Sequence, residues 1–257
     1  MADVLRSGLL SAIGVAHGFN LRTGGVSEGP YAALNLGRSV GDAAERVAEN
    51  HRRFATEVGY APDTLYETSQ VHGAGVRGVA PGSAVREVRA AEADALLAAQ
   101  GGLAIGVRVA DCVPVLLADA KSGDAAAIHA GWRGTVRGVV ESGVRALLDA
   151  GSGEPTALRA AIFPHIGRCC FEVGEDVALE LLAATPGSDA SVIDRTRARP
   201  HVDLTAIVSA KLHALGVAAD AIDVVAGCTR CEPELFFSFR RDGKQSGRHL
   251  AVIASGG

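Results

Sequence analysis

The most regular hydrophobic pattern of the chain runs over residues 105–134. Valines alternate with other residues, an apolar run follows, and a second apolar segment begins after the turn sequence Lys-Ser-Gly-Asp. This order predicts strand, turn, strand, hairpin, strand. If the second and third strands pair as a hairpin, Cys112 and His129 lie level at its open end. A glycine-rich turn, residues 129–134, follows the last strand.

Helical periodicity appears at several other places in the chain. It predicts helices over 135–150 and 175–184, and a helix that begins at Asp203. A further helix is predicted to begin at Asp42, with Glu45 three residues on as in a capping box.

Strand patterns occupy much of the remaining sequence. One strand is predicted over 65–73, close to His72, and two more over 236–240 and 249–254, joined as a hairpin by an Asp-Gly pair. Because strands and helices mix without regular alternation, the sequence predicts a single mixed α/β domain over residues 1–257.

Composition limits the classes of protein to consider. The chain has 257 residues, 48% of them hydrophobic, which is enough for a substantial core. Its apolar runs are shorter than the roughly 18 residues of a membrane span, and its N-terminus lacks the pattern of an export signal. A cytoplasmic protein is therefore expected. A net charge of −4 without a basic block argues against nucleic acid as the partner.

The five cysteines do not suggest a disulfide framework. Besides Cys112 they are the adjacent pair Cys169 and Cys170, and Cys228 and Cys231 in a Cys-x-x-Cys. A single Cys-x-x-Cys does not make a zinc ribbon, so these four are expected to be packed thiols or thiols that support a site without binding its ligand.

A thiol and an imidazole at one sheet edge suit two kinds of chemistry. Cys112 and His129 could bind a metal ion or act as a nucleophile and its base. His72, which precedes a glycine, joins them only if the fold brings it there. Arg22 precedes Thr-Gly-Gly, where a guanidinium and backbone N–H groups can meet one anion, although a surface loop is the simpler interpretation.

Several motifs, taken in order, carry a resemblance to a known family. They cover residues 17–253 and are HGFNLRTGGVS, ALNLG, QVHG, ADALL, DCVPVLLAD, HAGWRGT, IGRCCFEVGEDV, CTRC and FFSFRRDGKQSGRHLAVI. The chain resembles the YfiH-like laccase-domain family, also described as the multicopper polyphenol oxidase or peptidoglycan-editing-factor family. The resemblance implies one domain of mixed sheets flanked by helices, layered α/β/β/α, in the fold group of cysteine-hydrolase-like toxins.

The resemblance also implies a metal site formed by His72, Cys112 and His129. The expected ion is Zn²⁺, with Cu²⁺ as the alternative. Two imidazoles and one thiolate leave a fourth position open, which is typical of a catalytic zinc. Such an ion lowers the pKa of a bound water to about 7.

The activity implied by the resemblance is that of a purine nucleoside enzyme. It comprises phosphorolysis of adenosine, inosine and methylthioadenosine, together with adenosine deamination. Arg22 is the first candidate for binding phosphate, and Arg133 and Arg240 are weaker ones. The His-x-Glu and Pro-Cys-x-x-Cys signature of nucleoside deaminases is absent from the sequence.

Three polar side chains complete the set of candidate residues. Asn35 and Gln70 are expected to hydrogen-bond the ribose or the base. Asp111 is expected to orient a ligand or relay a proton. The partners are then a small nucleoside and phosphate, and both a monomer and a homodimer remain open.

Other functions compete with this interpretation. One is an amidase that edits peptidoglycan precursors, in which Cys112 is the nucleophile, His129 its base and Asp111 or another polar group the orienting group. A second is a copper-dependent polyphenol oxidase, but the eight histidines include no His-x-His pair of the kind that a multicopper cluster uses. A third is a metal-storage or partner-binding protein without catalysis.

Overall fold

Two β-sheets packed face to face form the centre of the computed structural model, which describes residues 2–99, 101–185, 187 and 189–256. The first sheet has the strand order β1-β2-β13-β6-β3 and the second β12-β9-β7-β8-β5-β4, while β10 and β11 form a small separate pair. The strands are β1 Val4–Leu5, β2 His17–Asn20, β3 Leu65–Tyr66, β4 Val76–Val79, β5 Ala95–Ala98, β6 Ala104–Val109, β7 Val113–Asp119, β8 Ala125–Ala130, β9 Leu158–Ile162, β10 Ile193–Asp194, β11 His201–Val202, β12 Ile222–Val224 and β13 His249–Ala254.

Helices cover the outer faces of both sheets. They are α1 Gly8–Ala12, α2 Ala44–Val58, α3 Val85–Ala90, α4 Trp132–Val136, α5 Val139–Ala150, α6 Glu175–Ala183, α7 Leu204–Ala214 and α8 Phe239–Asp242. Helix α2 packs on the first sheet, and α5 and α7 belong to the core on the far side of the second. The layers therefore run helix, sheet, sheet, helix, and the mixed α/β class is confirmed. Membership of the cysteine-hydrolase-like group stays a prediction.

The predicted hairpin of β7 and β8 is confirmed and lies in the middle of the second sheet. Every residue of both strands is buried. Val115 and Leu117 pack towards α5, whereas Leu116 faces the first sheet. Because both faces are covered, these strands are almost entirely apolar, with Asp119 and His129 as the exceptions. Pro114 pairs with His129, so Cys112 and His129 lie at the same end of the hairpin, as predicted.

Two predicted helix starts differ from the structure. The helix predicted over 135–150 is divided into α4 and α5, because Gly138 adopts a left-handed φ of 87° between them. Helix α2 has Ala43 as its N-cap, not Asp42. The Asp42 carboxylate instead accepts hydrogen bonds from Ser27 and Asn35 at 2.6 and 2.8 Å.

The hairpin predicted around Asp242 and Gly243 is wrong. Ser238 Oγ accepts a hydrogen bond from the N–H of Arg241 at 3.2 Å and begins the short helix α8. Strand β13 pairs with β2 and β6 instead. The strand predicted over 65–73 is also shorter, since it is reduced to β3 and one isolated bridge between Ser69 and Glu92. No helix in the described part of the chain is long and apolar enough to cross a bilayer.

Candidate metal and catalytic site

Three side chains from separate segments meet at the open end of the β7–β8 hairpin. Cys112 directly precedes β7, His129 lies in β8, and His72 lies in the loop between β3 and β4. Nε2 of His72 is 3.8 Å from Sγ of Cys112. The possible ligand atoms of the three residues all lie within 4.8 Å of one another. The structure thus brings together the three residues that the sequence singled out.

Asp94 holds both histidines in place and was not among the predicted site residues. Its Oδ1 accepts a hydrogen bond from Nδ1 of His129 at 2.8 Å. The same carboxylate accepts the backbone N–H groups of Val71, His72 and Gly73 at 3.1, 2.9 and 2.7 Å. With Nδ1 of His129 fixed, Nε2 is left free for a ligand, an arrangement common to histidines that bind metals.

The charges of Cys112 and His129 stabilise each other. Burial raises the pKa of the Cys112 thiol, but the positive charge and hydrogen bonds of His129, with those of His72, outweigh burial and lower it to about 6. Burial lowers the pKa of His129, but the Cys112 thiolate and Asp94 outweigh it and raise the pKa to about 9. The site therefore favours a thiolate at neutral pH, the form that binds metals and attacks carbonyls.

Backbone strain is concentrated at this site. Among the described residues other than glycine, only His72 and Asp111 have a positive φ, at 57° and 95°. Such conformations persist where the surroundings impose them, and they cluster at functional sites. Asp111 is held by hydrogen bonds from the hydroxyl of Thr229 and the N–H of Arg240, each 2.6 Å long. It positions two loops and does not contact His129.

Gly131 leaves room for the three candidate ligands. A Cβ at this position would lie 2.7 Å from Cδ2 of His72 and 3.1 Å from Sγ of Cys112. Both distances are shorter than ordinary contacts, so a side chain here would displace the ligands. The His-Ala-Gly-Trp motif therefore requires a glycine at position 131, because His72 and Cys112 lie too close to its backbone for a side chain.

The donor set fits a tetrahedral zinc ion. Zinc lies about 2.1 Å from histidine nitrogen and about 2.3 Å from cysteine sulfur, which places two tetrahedral ligands roughly 3.6 Å apart. The 3.8 Å between His72 and Cys112 agrees with this spacing. Three protein ligands leave one position for a substrate or water.

A cleft of about 650 Å³ opens over the three residues. Five arginines and a single carboxylate, Asp111, are among its lining residues, so the cleft is positively charged. The arginines are Arg38, Arg108, Arg133, Arg240 and Arg248. Trp132, Phe171 and Phe239 add aromatic surface to the walls.

Two predicted residues lie outside this cleft lining. The guanidinium of Arg22 donates to the backbone carbonyls of Ala32 and Pro233 and stacks over Phe237. Asn35 is fully buried, and its Oδ1 accepts the backbone N–H of Arg248 at 2.9 Å. Their hydrogen-bonding groups are used in holding loops together, which the sequence motifs did not reveal.

The other predicted substrate residues line the cleft in different ways. Arg133 and Arg240 are exposed at its walls, where Arg240 also donates to the carbonyl of Glu172. Gln70 lines it too, but its amide exchanges two hydrogen bonds of 2.8 Å with the backbone of Arg108. Gln70 therefore ties the His72 loop to β6, and its amide is already paired.

Arg38, Arg108 and Arg248 were missed from the sequence. Arg38 and Arg108 flank the buried Glu67 at 3.3 and 3.5 Å, and this carboxylate fixes both guanidinium groups near the cleft. Arg38 directly follows the ALNLG motif, Arg108 lies in the segment 105–134 and Arg248 in the last motif, but no local pattern separates them from other surface arginines. Asp94 had two signals, its place in the ADALL motif and its position directly before an apolar segment.

The four remaining cysteines form a separate cluster. Cys170 is buried and Cys228 half-buried, whereas Cys169 and Cys231 are exposed, so the expectation of packed thiols is wrong for these last two. The sulfur atoms of all four lie within 4.8 Å of one another.

The other six histidines each hydrogen-bond a backbone carbonyl group, and His17, His165 and His249 use their second ring nitrogen as well. Their ring nitrogens contact the backbone oxygens of Val15, Leu36, Phe163, Arg199, Val217 and Asn20. The described residues thus contain a single mixed His/Cys group suited to a metal, which does not favour a multicopper oxidase.

Comparison with known proteins identifies the family of the chain. A family model described as multi-copper polyphenol oxidoreductase laccase matches residues 16–256. A protein of Deinococcus radiodurans named purine nucleoside phosphorylase is 42% identical over 94% of this chain and 89% of its own length. A protein of the same name from Streptomyces coelicolor is 42% identical over 93% of this chain and 95% of its own length.

Solved structures of the same family also match most of this chain. The crystal structure of YlmD from Geobacillus stearothermophilus has a TM-score of 0.87 at 33% identity, covering 95% of this chain and 93% of that chain. The YfiH structure from Bacillus licheniformis has a TM-score of 0.88 at 29% identity, covering 94% of this chain and 93% of that chain. The resemblance of the sequence motifs is thereby confirmed, and the chain belongs to the YfiH-like family of laccase-domain proteins.

Proposed function

We propose that this chain is a metal-dependent purine nucleoside phosphorylase. The observation that carries the proposal is the convergence of His72, Cys112 and His129 under a cleft lined by five arginines. The names of the relatives from Deinococcus and Streptomyces support the same activity. The cleft volume lies within the range of about 300–1,000 Å³ that is typical of small-molecule sites.

His72, Cys112 and His129 would hold the ion, which is Zn²⁺ in this proposal and Cu²⁺ in its alternative. When bound, the ion supplies Lewis acidity and positive charge next to the substrate. Asp94 keeps His129 oriented with Nδ1 as the donor, and Gly131 keeps the space around the ligands open.

The arginines of the cleft provide the site for phosphate. A guanidinium binds a phosphate through two parallel N–H donors, and several guanidinium groups around one cleft favour an anion strongly. Arg38 and Arg248 are the first candidates, because both line the cleft that Cys112 and Asp111 also line. Arg133 and Arg240 stay candidates at the exposed walls, while the paired guanidinium of Arg22 is not one.

The aromatic residues of the cleft suit a purine base. Trp132, Phe171 and Phe239 line it, and Phe239 is 48% exposed, which is unusual for a phenylalanine without a partner surface. An aromatic ring stacks on a base whatever its exocyclic groups are. Adenosine, inosine and methylthioadenosine are therefore the substrates proposed, and deamination of adenosine is the proposed second activity.

The test is chromatographic analysis of adenosine incubated with the protein, with and without phosphate. Adenine and ribose 1-phosphate formed only with phosphate support phosphorolysis, and inosine supports deamination. Cys112→Ser and His129→Ala should abolish product, and His213→Ala, a substitution of an exposed histidine, should not. Unchanged adenosine with the zinc-loaded wild-type protein contradicts the proposal.

A second candidate function rests on the same three side chains. The Cys112 thiol, with a pKa of about 6, lies beside His129, which in turn donates to Asp94. This is the Cys-His-Asp arrangement of a thiol amidase. Asp94 takes the orienting role that the sequence assigned to Asp111. Removal of metal separates the two functions, because it should abolish phosphorolysis and should spare or raise hydrolysis of an amide through the free thiolate.

A further inference from the structure

A second group of possible metal ligands lies outside the cleft. Sγ of Cys169 is 3.5 Å from the sulfurs of both Cys228 and Cys231, and Sγ of Cys170 is 3.2 Å from that of Cys231. All four sulfur atoms lie within 4.8 Å of one another. Two sequence-distant loops therefore direct four thiols towards one point.

These distances suit a shared metal ion. Four sulfurs around a tetrahedral zinc, each about 2.3 Å from the ion, lie roughly 3.8 Å apart. A disulfide, by contrast, brings two sulfurs to about 2.05 Å. The four cysteines are free thiols in the structure, and their spacing is that of neighbouring ligands.

The backbone around the cluster is arranged to support thiolate ligands. The N–H of Gly167 points to Sγ of Cys228 at 3.3 Å. The N–H of Cys231 donates to the carbonyl of Cys228 at 3.1 Å, which closes the Cys-x-x-Cys into a turn with both sulfurs on one side. A Cβ at Gly167 would lie 3.3 Å from Sγ of Cys169 and 3.4 Å from Sγ of Cys228, so the glycine allows the two loops to approach.

Charged groups of both signs lie near the cluster, and Glu232 accepts the backbone N–H of Cys228 at 2.7 Å. Arg168 and Arg230 are direct sequence neighbours of the cluster, and both are exposed. The guanidinium of Arg197 donates to the carbonyl oxygen of Cys169 at 2.9 Å. Four thiolates with one divalent ion carry a net charge of −2, which these three arginines can offset.

We propose that Cys169, Cys170, Cys228 and Cys231 bind one Zn²⁺ in a closed, structural site. On binding, the four thiols lose their protons to solvent and form four Zn–S bonds, with no change in oxidation state. Thiolate sets of this kind select zinc over hard ions such as Mg²⁺ and Ca²⁺. Because all four positions are occupied by the protein, the ion has no place for a substrate.

The site would fix one wall of the catalytic cleft. Thr229, which lies between the ligands Cys228 and Cys231, donates its hydroxyl to Asp111. Ile166 and Phe171, on either side of Cys169 and Cys170, line the cleft. Zinc at the cysteines would therefore join the two loops that shape the substrate site. Zinc binding by the four cysteines does not depend on the proposed activity, because it is measured by the zinc content of the protein and by how rigid the two loops are.

The experiment uses the full chain with Cys112→Ala, in which the first site is disabled. Protein purified without chelator is loaded with zinc, desalted and analysed by elemental mass spectrometry and zinc X-ray absorption. We expect one zinc per chain in a shell of four sulfurs at about 2.3 Å. Adding Cys228→Ser and Cys231→Ser should remove that zinc.

A second readout keeps the test valid if the serine variants misfold. Cobalt added to Cys112→Ala, whose four cysteines are intact, should give the intense visible bands of a tetrahedral thiolate complex. Hydrogen exchange at residues 166–171 and 228–236 should slow when zinc is added. Absence of retained zinc, a shell dominated by nitrogen or oxygen, or a mass that shows disulfides in freshly reduced protein would overturn the inference.

Discussion

Oδ1 of Asp94 accepts a hydrogen bond of 2.8 Å from Nδ1 of His129, and both side chains are buried. The same carboxylate receives three backbone N–H groups from the loop that carries His72. Burial raises the pKa of Asp94, but His129 and these N–H groups outweigh it and lower the pKa. One carboxylate thus sets the position of two candidate ligands at once.

Asp94→Asn should weaken zinc binding at the first site. The amide can no longer orient His129 as an anion does, and losses of about 10- to 100-fold in metal affinity are typical for such partners. Competition with a chromophoric chelator measures the affinity. Asp149→Asn, an exposed carboxylate at the end of α5, serves as the matched control and should bind zinc like the wild type. Equal affinities in both variants would exclude this role of Asp94.

Gly131→Ala should also impair the site, by a steric route. The added methyl group would lie 2.7 Å from the ring of His72, so His72 must move away from Cys112. We expect zinc affinity to fall on the order of tenfold, which corresponds to about 1.4 kcal/mol. Gly78→Ala is the control, because a Cβ at Gly78 has no atom within 4 Å. Unchanged zinc affinity in Gly131→Ala would show that the site tolerates a side chain.

Arg38→Ala should raise the KM for phosphate more than the KM for adenosine. Loss of a charge-assisted hydrogen bond costs about 1.5–3 kcal/mol, so a rise of about tenfold or more is expected. Initial rates at varied phosphate give the value. Arg52→Ala, a substitution on the exposed side of α2, should leave it unchanged. A rise in both KM values alike would assign Arg38 to general packing of the cleft.

Stability should fall as pH drops from 7 to 5. Burial lowers the pKa of His51 to about 4 and that of His249 to about 3. In the unfolded chain the pKa of histidine is about 6.5. Below that pH the two histidines therefore bind protons in the unfolded state but stay neutral in the folded state. The stability present above pH 6.5 is then lost as the pH falls towards these lowered values. The expected loss is about 2 kcal/mol per histidine between pH 7 and pH 5.

Urea unfolding at a series of pH values checks this expectation. His51→Gln should remove about half of the slope that the two histidines cause, whereas His213→Gln, at an exposed position, should keep it. A free energy of unfolding that is flat from pH 7 to pH 5 would contradict it.

The part of the site that lies on one hairpin could be predicted from the sequence. Cys112 and His129 flank two apolar strands joined by a short turn, so local periodicity and turn chemistry place them at one end. The helix over 175–184 was likewise signalled by its period, and the helix after Asp203 by period and cap, since Asp203 does accept the N–H of Ala206.

The rest of the site depends on contacts distant in sequence. His72 reaches Cys112 only because Asp94 and Gln70 hold its loop, and no local pattern encodes those hydrogen bonds. Arg22 and Asn35 looked like ligands because their polar groups stand in loops, yet the fold uses both to join loops. The hairpin predicted from Asp242 and Gly243 is wrong for a local reason, because the helix cap at Ser238 outweighs the tendency of Asp-Gly to form a hairpin turn.

The most direct test of the central claim is reactivation of metal-depleted protein by zinc. Adenine release from adenosine and phosphate is followed as zinc is added to the wild type and to Cys112→Ser. The account predicts that the depleted wild type is inactive and regains activity to saturation, while Cys112→Ser stays inactive at every zinc concentration. Full phosphorolysis by the metal-depleted wild type, or equal reactivation of Cys112→Ser, would contradict it.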